Sequence, residues 1–220
     1  MKRVLEHLES IIAALKGDDM NFRALLLGIA VAALLPSDRV AAQPKAEDGF
    51  QSLFDGKTLA GWNVMNKAKF TAEDEVIKLR GGSGWLRSEE EYSDFVLRLE
   101  VRWMKPKQDS GIFIRASKEG KNWPDKRYEV QCENSTRVAH LFGAKSVRDA
   151  KKAEQLLKAP KEWNSFEVSC IGTRCEVKLN NELVCTSDDL KMAKGFIGLQ
   201  GEGGELEFRN IRIKKIDSKK

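Results

Sequence analysis

The chain has 220 residues, of which 41% are hydrophobic and 32% are charged, a composition typical of a globular protein with one sizeable core. Its net charge of +5 is modest, and Lys and Arg are interspersed with Asp and Glu rather than gathered in a basic block. These features argue against a protein that binds nucleic acid.

The N-terminal region has the layout of a secretory signal peptide over residues 20–42. A basic residue, Arg23, precedes an apolar run over 24–35, and small residues end at Ala42. We therefore expect cleavage after Ala42 and a periplasmic or secreted mature protein. The apolar run is short for a bilayer, so we predict no stable membrane span in the mature protein. A short membrane anchor or a buried helix is the alternative.

Residues 1–19 precede this signal and carry apolar residues at helical spacing. Because a signal peptide acts at the extreme N-terminus, we interpret Met20 as the start of translation and residues 1–19 as a start-site artefact. A genuine N-terminal helix is the alternative. A linker over residues 43–49 leads into one domain, which we place at 50–216, and residues 217–220 form a tail.

The mature domain is dominated by β-strand patterns. Over residues 94–103, apolar side chains alternate with charged ones, as in a strand with one buried face. Further candidate strands are separated by turn signals and cover residues 110–116, 127–133, 164–172, 173–181, 182–187, 195–201 and 205–216. Only residues 147–159 predict a helix, and a short one. The whole pattern predicts an all-β protein, either a β-sandwich or a jelly roll.

Strand parity places several polar side chains in the middle of strands, opposite the apolar face. These residues are Glu100, Arg102, Arg115, Glu129, Gln131 and Gln200. The ordinary interpretation of such a face is that it is solvated, as on one side of many antiparallel sheets. The alternative is that these groups form one polar surface that binds a ligand.

The motifs of several common catalytic classes are absent from the sequence. It contains no phosphate-binding glycine loop, no serine nucleophile elbow and no zinc-protease motif. With two His in the chain, a multi-His zinc site is nearly excluded, and His140 is the only histidine of the predicted domain. We predict no metal ligands, and the sequence neither indicates nor excludes a cation such as calcium. The remaining carboxylates, arginines, amides and aromatic rings suit a sugar, and Trp123 in the polar loop SKEGKNWPDK is the best candidate for a stacking surface.

The four cysteines, Cys132, Cys170, Cys175 and Cys185, all follow the predicted signal peptide. Cys170 and Cys175 flank a tight hairpin with the same parity, which would bring them face to face. A disulfide between this pair is one interpretation, because an exported protein meets oxidising conditions. Buried free thiols that act as small apolar side chains are the other.

Six segments, taken in order, resemble the 3-keto-disaccharide hydrolase family over about residues 49–216. They are FQSLFDGKTLAGW, GGSGWLRSEEEYSDFVLRLEVRW, DSGIFIRA, YEVQ, EWNSFEV and GFIGLQGEGGELEFRNIRIKKI. The resemblance implies a concanavalin A-like lectin/glucanase jelly roll that acts on 3-keto-glycosides. It also implies a carbohydrate substrate, supplied by an upstream sugar 3-dehydrogenase.

The chemistry of such a substrate needs a base for the proton at C2, a donor for the enolate oxygen, and an acid for the leaving group. The resemblance implies that Glu129 is the base or acid, that Arg115 contacts the enolate or another substrate oxygen, and that His140 shuttles protons. The predicted substrate-binding residues are Glu100, Arg102, Gln131, Trp123 and Gln200. The segment AHLFGAKSV departs from the family pattern because it has Phe142 where many members have Thr, and no Tyr follows.

Two alternatives to an enzyme remain, because a fold does not fix a function. One is a non-catalytic carbohydrate-binding module on the same fold. The other is an interaction domain of the cell envelope that uses the sandwich as a scaffold. Turnover of a keto-sugar separates the enzyme from both.

Overall fold

The computed structural model describes residues 49–217, which form two antiparallel β-sheets around one core. In chain order the strands are β1 (Gln51–Ser52), β2 (Trp62–Asn66), β3 (Phe70–Glu73), β4 (Val76–Arg80), β5 (Ser83–Tyr92), β6 (Phe95–Trp103), β7 (Gly111–Ala116), β8 (Tyr128–Gln131), β9 (Leu141–Phe142), β10 (Val147–Arg148), β11 (Asn164–Ile171), β12 (Arg174–Leu179), β13 (Glu182–Ser187), β14 (Gly195–Glu202) and β15 (Glu205–Lys215). The predicted all-β sandwich is therefore confirmed.

The strands divide between a larger sheet A and a smaller sheet B. Sheet A has the order β10-β13-β12-β11-β6-β15-β4-β3, and β1 also pairs with β15. Sheet B has the order β2-β5-β14-β7-β8-β9. Strands that follow each other in the chain often lie in different sheets, as β6 does in sheet A and β7 in sheet B. Because consecutive strands can enter different sheets, their polar side chains can end on opposite outer faces of the sandwich.

The core lies between the two sheets and is built from alternate residues of each strand. In β6, Leu97, Leu99, Val101 and Trp103 are buried, while the charged residues between them are partly exposed, as the alternation predicts. In sheet B, Ile112 and its counterparts on neighbouring strands complete the same apolar cluster. Because the inner face of each sheet is apolar, the other face of each sheet is left for polar groups.

The segment over residues 50–62 fixes the entry of the chain onto sheet A. Phe54 and Trp62 are buried, and the indole Nε1 of Trp62 donates to the Leu53 carbonyl at 2.5 Å. The Asp55 carboxylate accepts from two backbone amides and so closes the turn that follows. These contacts give the segment a structural role.

The one helix of the described residues is shorter than the sequence predicts. It covers Ala150–Leu156, and the side chain of Asp149 caps it by accepting from the Lys152 amide at 3.0 Å. Val147 and Arg148, which the sequence analysis assigns to this helix, instead form β10 at the edge of sheet A.

The four cysteines are buried free thiols in the structure. Cys170 and Cys175 are direct cross-strand partners in β11 and β12, as the hairpin parity predicts, and their sulfur atoms lie 3.7 Å apart. Burial also raises the pKa of the Cys132 and Cys185 thiols. These residues therefore behave as small apolar side chains in the core.

The segments predicted over residues 1–19 and 20–42, and nearly all of the linker at 43–49, lie outside the described residues. The same holds for the tail beyond residue 217. Within residues 49–217, no helix has the length and apolar character needed to span a membrane.

Candidate active site

The outer face of sheet B gathers Glu129, Gln131 and Gln200, three of the residues singled out by strand parity. Their neighbours along each strand, such as Val130 and Leu199, belong to the core, so these three side chains point away from it. Two rows of paired residues cross this face. One joins Arg87, Gly198, Phe113, Glu129 and Phe142, and the other includes the pairs Met65 with Trp85, Trp85 with Gln200, and Gly111 with Gln131.

The carboxylate of Glu129 lies over a glycine in the neighbouring strand. A Cβ atom built on Gly111 would be 2.6 Å from the Glu129 Oε1 atom, so only glycine leaves room for this carboxylate. The other oxygen, Oε2, accepts from Arg127 Nε at 3.1 Å. Glu129 is 8% exposed, and this burial raises its pKa, although the hydrogen bond from Arg127 offsets part of the rise. The result is a carboxylate that is more basic than an exposed one.

A second carboxylate, Asp109, lies two residues before the first residue of β7 and is linked to the strand of Glu129 through Gln131. Gln131 Nε2 donates to Asp109 Oδ1 at 2.5 Å, and Arg137 Nη2 lies 3.3 Å from Oδ2. Burial, followed by the negative charges of Glu133 and Glu202, raises the pKa of Asp109 to about 6. Asp109 is therefore a group that gains and loses protons near neutral pH.

The middle of the same face is an aromatic cluster. Trp85 and Phe113 are fully buried and meet edge to face at 5.8 Å between ring centroids. Phe196 joins them, and the ring of Trp85 lies over Gly198, where a Cβ would come within 2.5 Å of it. The cluster gives the polar residues beside it a dry and rigid support.

Three buried polar atoms on this face have no hydrogen-bond partner among the described residues: Arg87 Nε, Trp85 Nε1 and Gln200 Oε1. Trp85 Nε1 is a donor and Gln200 Oε1 an acceptor, and these two residues are cross-strand partners. Burying an unpaired donor or acceptor costs about 1–3 kcal/mol. Such a pair is suited to a hydroxyl group, which accepts one hydrogen bond and donates another.

Trp123 is placed differently from the stacking surface that the sequence predicts. It lies in the loop between β7 and β8 and packs, partly buried, against the aromatic cluster. Asn66 Nδ2 donates to the Asn122 carbonyl at 2.8 Å, and Arg87 Nη1 donates to Lys118 O at 2.8 Å, so two contacts hold this loop against sheet B. Trp123 therefore borders the site by covering the cluster.

Phe142 is the exposed aromatic residue next to the carboxylates. It is 39% exposed and is the cross-strand partner of Glu129. His140 packs against it with ring centroids 4.4 Å apart, and the His140 carbonyl accepts from the Gln131 amide at 2.8 Å. Burial, followed by the charge of Arg148, lowers the pKa of His140, which favours the neutral imidazole. His140 thus lies beside Phe142, the cross-strand partner of Glu129, and its catalytic role stays a prediction.

The Arg115 side chain does not join Glu129 on this face, contrary to the expectation from strand parity. Its backbone has φ +46°, next to an irregular register between β7 and β14, and its side chain is 1% exposed. The guanidinium is 3.0 Å from Asp94 Oδ1 and donates to the carbonyls of Ser93, Gly172 and Met192. Every one of these bonds ties together loops at the end of the sandwich.

The predicted role of Arg115 at the enolate oxygen is therefore not supported. Arg127 is the arginine beside Glu129, and the sequence analysis missed it. Its position two residues before Glu129 was the available signal, because residues of equal parity share a face. The same argument applies to Asp109, two residues before Gly111.

Glu100 and Arg102 are also not part of this face, because β6 belongs to sheet A. Glu100 Oε2 accepts from Arg209 Nε at 2.5 Å and from Asn210 Nδ2 at 3.1 Å. Both residues belong to the outer face of the opposite sheet, so the expectation that they join Glu129 is wrong. Parity tells which side of a strand is polar but not which sheet the strand enters.

Arg102 likewise has its partners on sheet A. Its Nε donates to Glu207 Oε2 at 2.7 Å, and its guanidinium stacks on Trp163 at 4.5 Å from the ring centroid. These groups satisfy one another. Within residues 49–217, no group of three or more His, Cys, Asp and Glu side chains is arranged to hold a metal ion.

Comparison with known proteins gives the family and the fold of the chain. The model of a family described as the 3-keto-alpha-glucoside-1,2-lyase-like domain matches residues 49–214. The chain belongs to this family. A protein of Bacteroides thetaiotaomicron named 3-keto-disaccharide hydrolase is 25% identical, and the match covers 79% of this chain and 81% of that protein.

Solved structures share the fold. A Parabacteroides distasonis protein that is provisionally assigned as a glycosyl hydrolase has a TM-score of 0.66 and 21% identity, covering 77% of this chain and 94% of that one. The carbohydrate-binding module CBM66 of Bacillus subtilis has a TM-score of 0.54 and 17% identity, covering 76% and 99%. These likenesses and the two facing antiparallel sheets confirm the lectin-like jelly roll.

Proposed function

We propose that this member of the family cleaves 3-keto-glycosides by β-elimination followed by hydration, with Glu129 as the base. The observation that carries the proposal is the buried Glu129 carboxylate, which lies over Gly111 and next to Arg127 with a raised pKa. The family membership supplies the class of substrate. The net reaction is the hydrolysis of a glycosidic bond.

A ketone at C3 acidifies the hydrogen at C2, because the electrons left behind are shared with the ketone oxygen as an enolate. Glu129 removes this proton, and the C1–oxygen bond then breaks to give a 2-hydroxyglucal. Water adds across the new double bond and completes the hydrolysis. General-base catalysis of this kind contributes about 10²–10⁴-fold to a rate, and the raised pKa of Glu129 increases its strength as a base.

The rest of the face supplies charge and hydrogen bonds. Arg127 is the cation nearest to Glu129 and takes the place predicted for Arg115, since it can stabilise negative charge that develops on a substrate oxygen. The unpaired atoms of Trp85 and Gln200 suit a sugar hydroxyl. Phe142 offers an exposed aromatic ring to the apolar side of a sugar.

The proposal is tested by comparing a 3-keto-disaccharide, such as 3-ketotrehalose, with its unoxidised parent. Purified protein from Gln43 onward is expected to release sugar from the keto form only, and Glu129→Gln is expected to reduce this release by about 10²–10⁴-fold. Glu100→Gln, on the opposite sheet, is the matched control and should keep the wild-type rate. Cleavage of the unoxidised parent at the same rate would contradict the proposed mechanism.

The same experiment also tests the alternative that the protein is a non-catalytic carbohydrate-binding module. This alternative is considered because the fold also occurs in the module CBM66. A binding module would hold unoxidised glycans and turn over neither substrate. Buried carboxylates with raised pKa values are costly in a surface that only binds, and they favour the enzyme.

We also propose that the protein is exported, with its substrate supplied by an enzyme that oxidises sugars at C3. The signal-like pattern over residues 20–42 supports export. N-terminal sequencing of the protein recovered from the native cell envelope tests this, and a mature N-terminus at Gln43 is the expected result. Intact residues 20–42 in the recovered protein would contradict it.

A further inference from the structure

The proposed elimination leaves one proton unassigned. When the C1–oxygen bond breaks, the departing sugar carries an alkoxide, which is a strongly basic leaving group. Glu129 gains a proton in this step and does not supply one. A second group on the same face has to donate a proton to the leaving oxygen if the rate is to be useful.

Asp109 is placed for this task. Its Oδ1 accepts from Gln131 Nε2, and Gln131 lies two residues after Glu129 on the same strand and face. Gln131 also pairs with Gly111, over which the Glu129 carboxylate lies. Asp109 keeps 27% of its side chain exposed, whereas the Glu129 side chain keeps 10%, so Asp109 is the more accessible of the two carboxyl groups.

We propose that Asp109 is the acid that protonates the leaving-group oxygen, acting as the partner of Glu129 on the outer face of sheet B. The proposal rests on the proposed function, since it assigns the second proton transfer of the same reaction. It replaces the proton-shuttle role that the sequence analysis gave to His140.

The proton balance closes with these two carboxyl groups. In the elimination, Glu129 takes the proton from C2, the C2–hydrogen electrons form the new double bond, and Asp109 gives its proton to the leaving oxygen as the C1–oxygen bond breaks. In the hydration, the Asp109 carboxylate takes a proton from the water that attacks C1, and Glu129 returns its proton to C2. Both groups end in their starting states, and no other reactant is needed.

The charges around Asp109 favour Asp109 as the acid and Glu129 as the base. The charged groups facing it are Glu129, Glu133, Glu202 and Arg137, three negative and one positive. Burial and the excess of negative charge raise the pKa of Asp109 to about 6, while Arg127 limits the rise for Glu129. Two carboxyl groups that repel each other disfavour the state in which both are ionised, and in the proposed reaction the shared proton starts on Asp109.

The experiment uses two substrates whose leaving groups differ in their need for an acid. A 3-keto-disaccharide releases a sugar alkoxide, whereas 4-nitrophenyl 3-keto-glucoside releases nitrophenolate, which departs without a proton. Asp109→Asn keeps an oxygen that accepts from Gln131. We expect it to lower kcat/KM by about 10²–10⁴-fold on the disaccharide and by less than about tenfold on the nitrophenyl substrate.

Equal losses on both substrates, or no loss on the disaccharide, would overturn the role of Asp109. Turnover by the wild type establishes the proposed function separately, because its absence would remove that function and not only the role of Asp109. Glu129→Gln provides the contrast, since the loss of the base should affect both substrates alike.

A second variant probes the acid without altering it. Glu133→Gln removes a negative charge near Asp109 and frees Arg137, and both changes lower the pKa of Asp109. Activity that needs protonated Asp109 should then decline at a lower pH than in the wild type, where it declines above about pH 6. If the alkaline limb of the pH–activity profile of Glu133→Gln stays in place, or moves to higher pH, the proposal is contradicted.

Discussion

On the outer face of sheet A, the carboxylate of Glu207 accepts from two arginines, Arg80 and Arg102, at 2.5 Å and 2.7 Å. On the outer face of sheet B, the Glu129 carboxylate has one arginine partner at 3.1 Å. Burial alone would raise the pKa of both groups. On sheet A the arginine hydrogen bonds outweigh burial and lower the pKa of Glu207, whereas on sheet B burial prevails for Glu129.

The comparison separates two uses of the same residue types. Charges on sheet A satisfy one another and stabilise the fold, as the lowered pKa of Glu167 also indicates. On sheet B, the carboxyl groups of Asp109 and Glu129 are buried with raised pKa values, so their ionised forms cost stability. Such groups are common at sites that carry out chemistry.

Replacing Arg115 is expected to cause the largest loss of stability. Arg115→Met leaves the Asp94 carboxylate and three carbonyls without their guanidinium, at a cost of about 3–5 kcal/mol. Chemical denaturation measures the loss, and activity per folded molecule should be retained. A stable variant without activity would show instead that Arg115 serves the reaction.

The two outer faces are compared directly by matched Glu→Gln substitutions. Glu207→Gln breaks bonds to Arg80 and Arg102 and should lower the free energy of unfolding by about 1–3 kcal/mol at neutral pH. Glu129→Gln should leave the free energy of unfolding unchanged or raise it, while it lowers turnover by about 10²–10⁴-fold. The distinction between the faces fails if both variants lose stability equally.

The pH dependence of stability sharpens the comparison further. The pKa of Asp109 is raised from 3.8 to about 6, so its favourable contribution is complete below about pH 4 and is lost as the pH rises through about 6. After allowance for solvent screening of a partly exposed group, the loss is about 1 kcal/mol. Unfolding of the wild type and Asp109→Asn between about pH 4 and 8 measures it.

As the pH rises over this range, the free energy of unfolding of Asp109→Asn should increase relative to that of the wild type. A constant difference would mean that Asp109 has an ordinary pKa in the folded protein.

The smallest change in stability is expected for Gly111→Ala. Its new Cβ meets Oε1, Cγ and Cδ of Glu129 and no backbone atom, so the side chain can turn away; the fold should lose less than about 1 kcal/mol while the displaced carboxylate lowers activity about tenfold. Gly201→Ala, on the core face of β14, is the control, because it crowds Ala68 and should cost stability but not activity per folded molecule. Full activity in Gly111→Ala would argue against the assigned position of Glu129.

The sequence predicts the architecture well because alternation is a local property. In β6, the inward positions of Leu97, Leu99 and Val101 follow directly from the period of two. The same parity brings Glu129 and Gln131 to one face, since both lie on β8. These features need no knowledge of which strands are neighbours.

The remaining site residues depend on non-local structure. Glu100 has the expected parity but lies on sheet A, because sheet membership is set by long-range pairing. Arg115 loses its expected direction at a residue with φ +46°, and nothing in the letters SGIFIRA marks that irregularity. Asp109 is the first residue of the segment DSGIFIRA and Arg127 the first residue of the candidate strand over 127–133, so strand parity could have found both.

The most direct measurement follows the hydrogen at C2 by NMR in deuterated water, with 3-ketotrehalose as substrate and wild type, Glu129→Gln and Glu207→Gln as enzymes. The wild type and Glu207→Gln should release 3-ketoglucose that carries deuterium at C2, and Glu129→Gln should give neither release nor exchange. Release by the wild type with the C2 hydrogen retained would contradict the elimination and, with it, the role of Glu129 as the base.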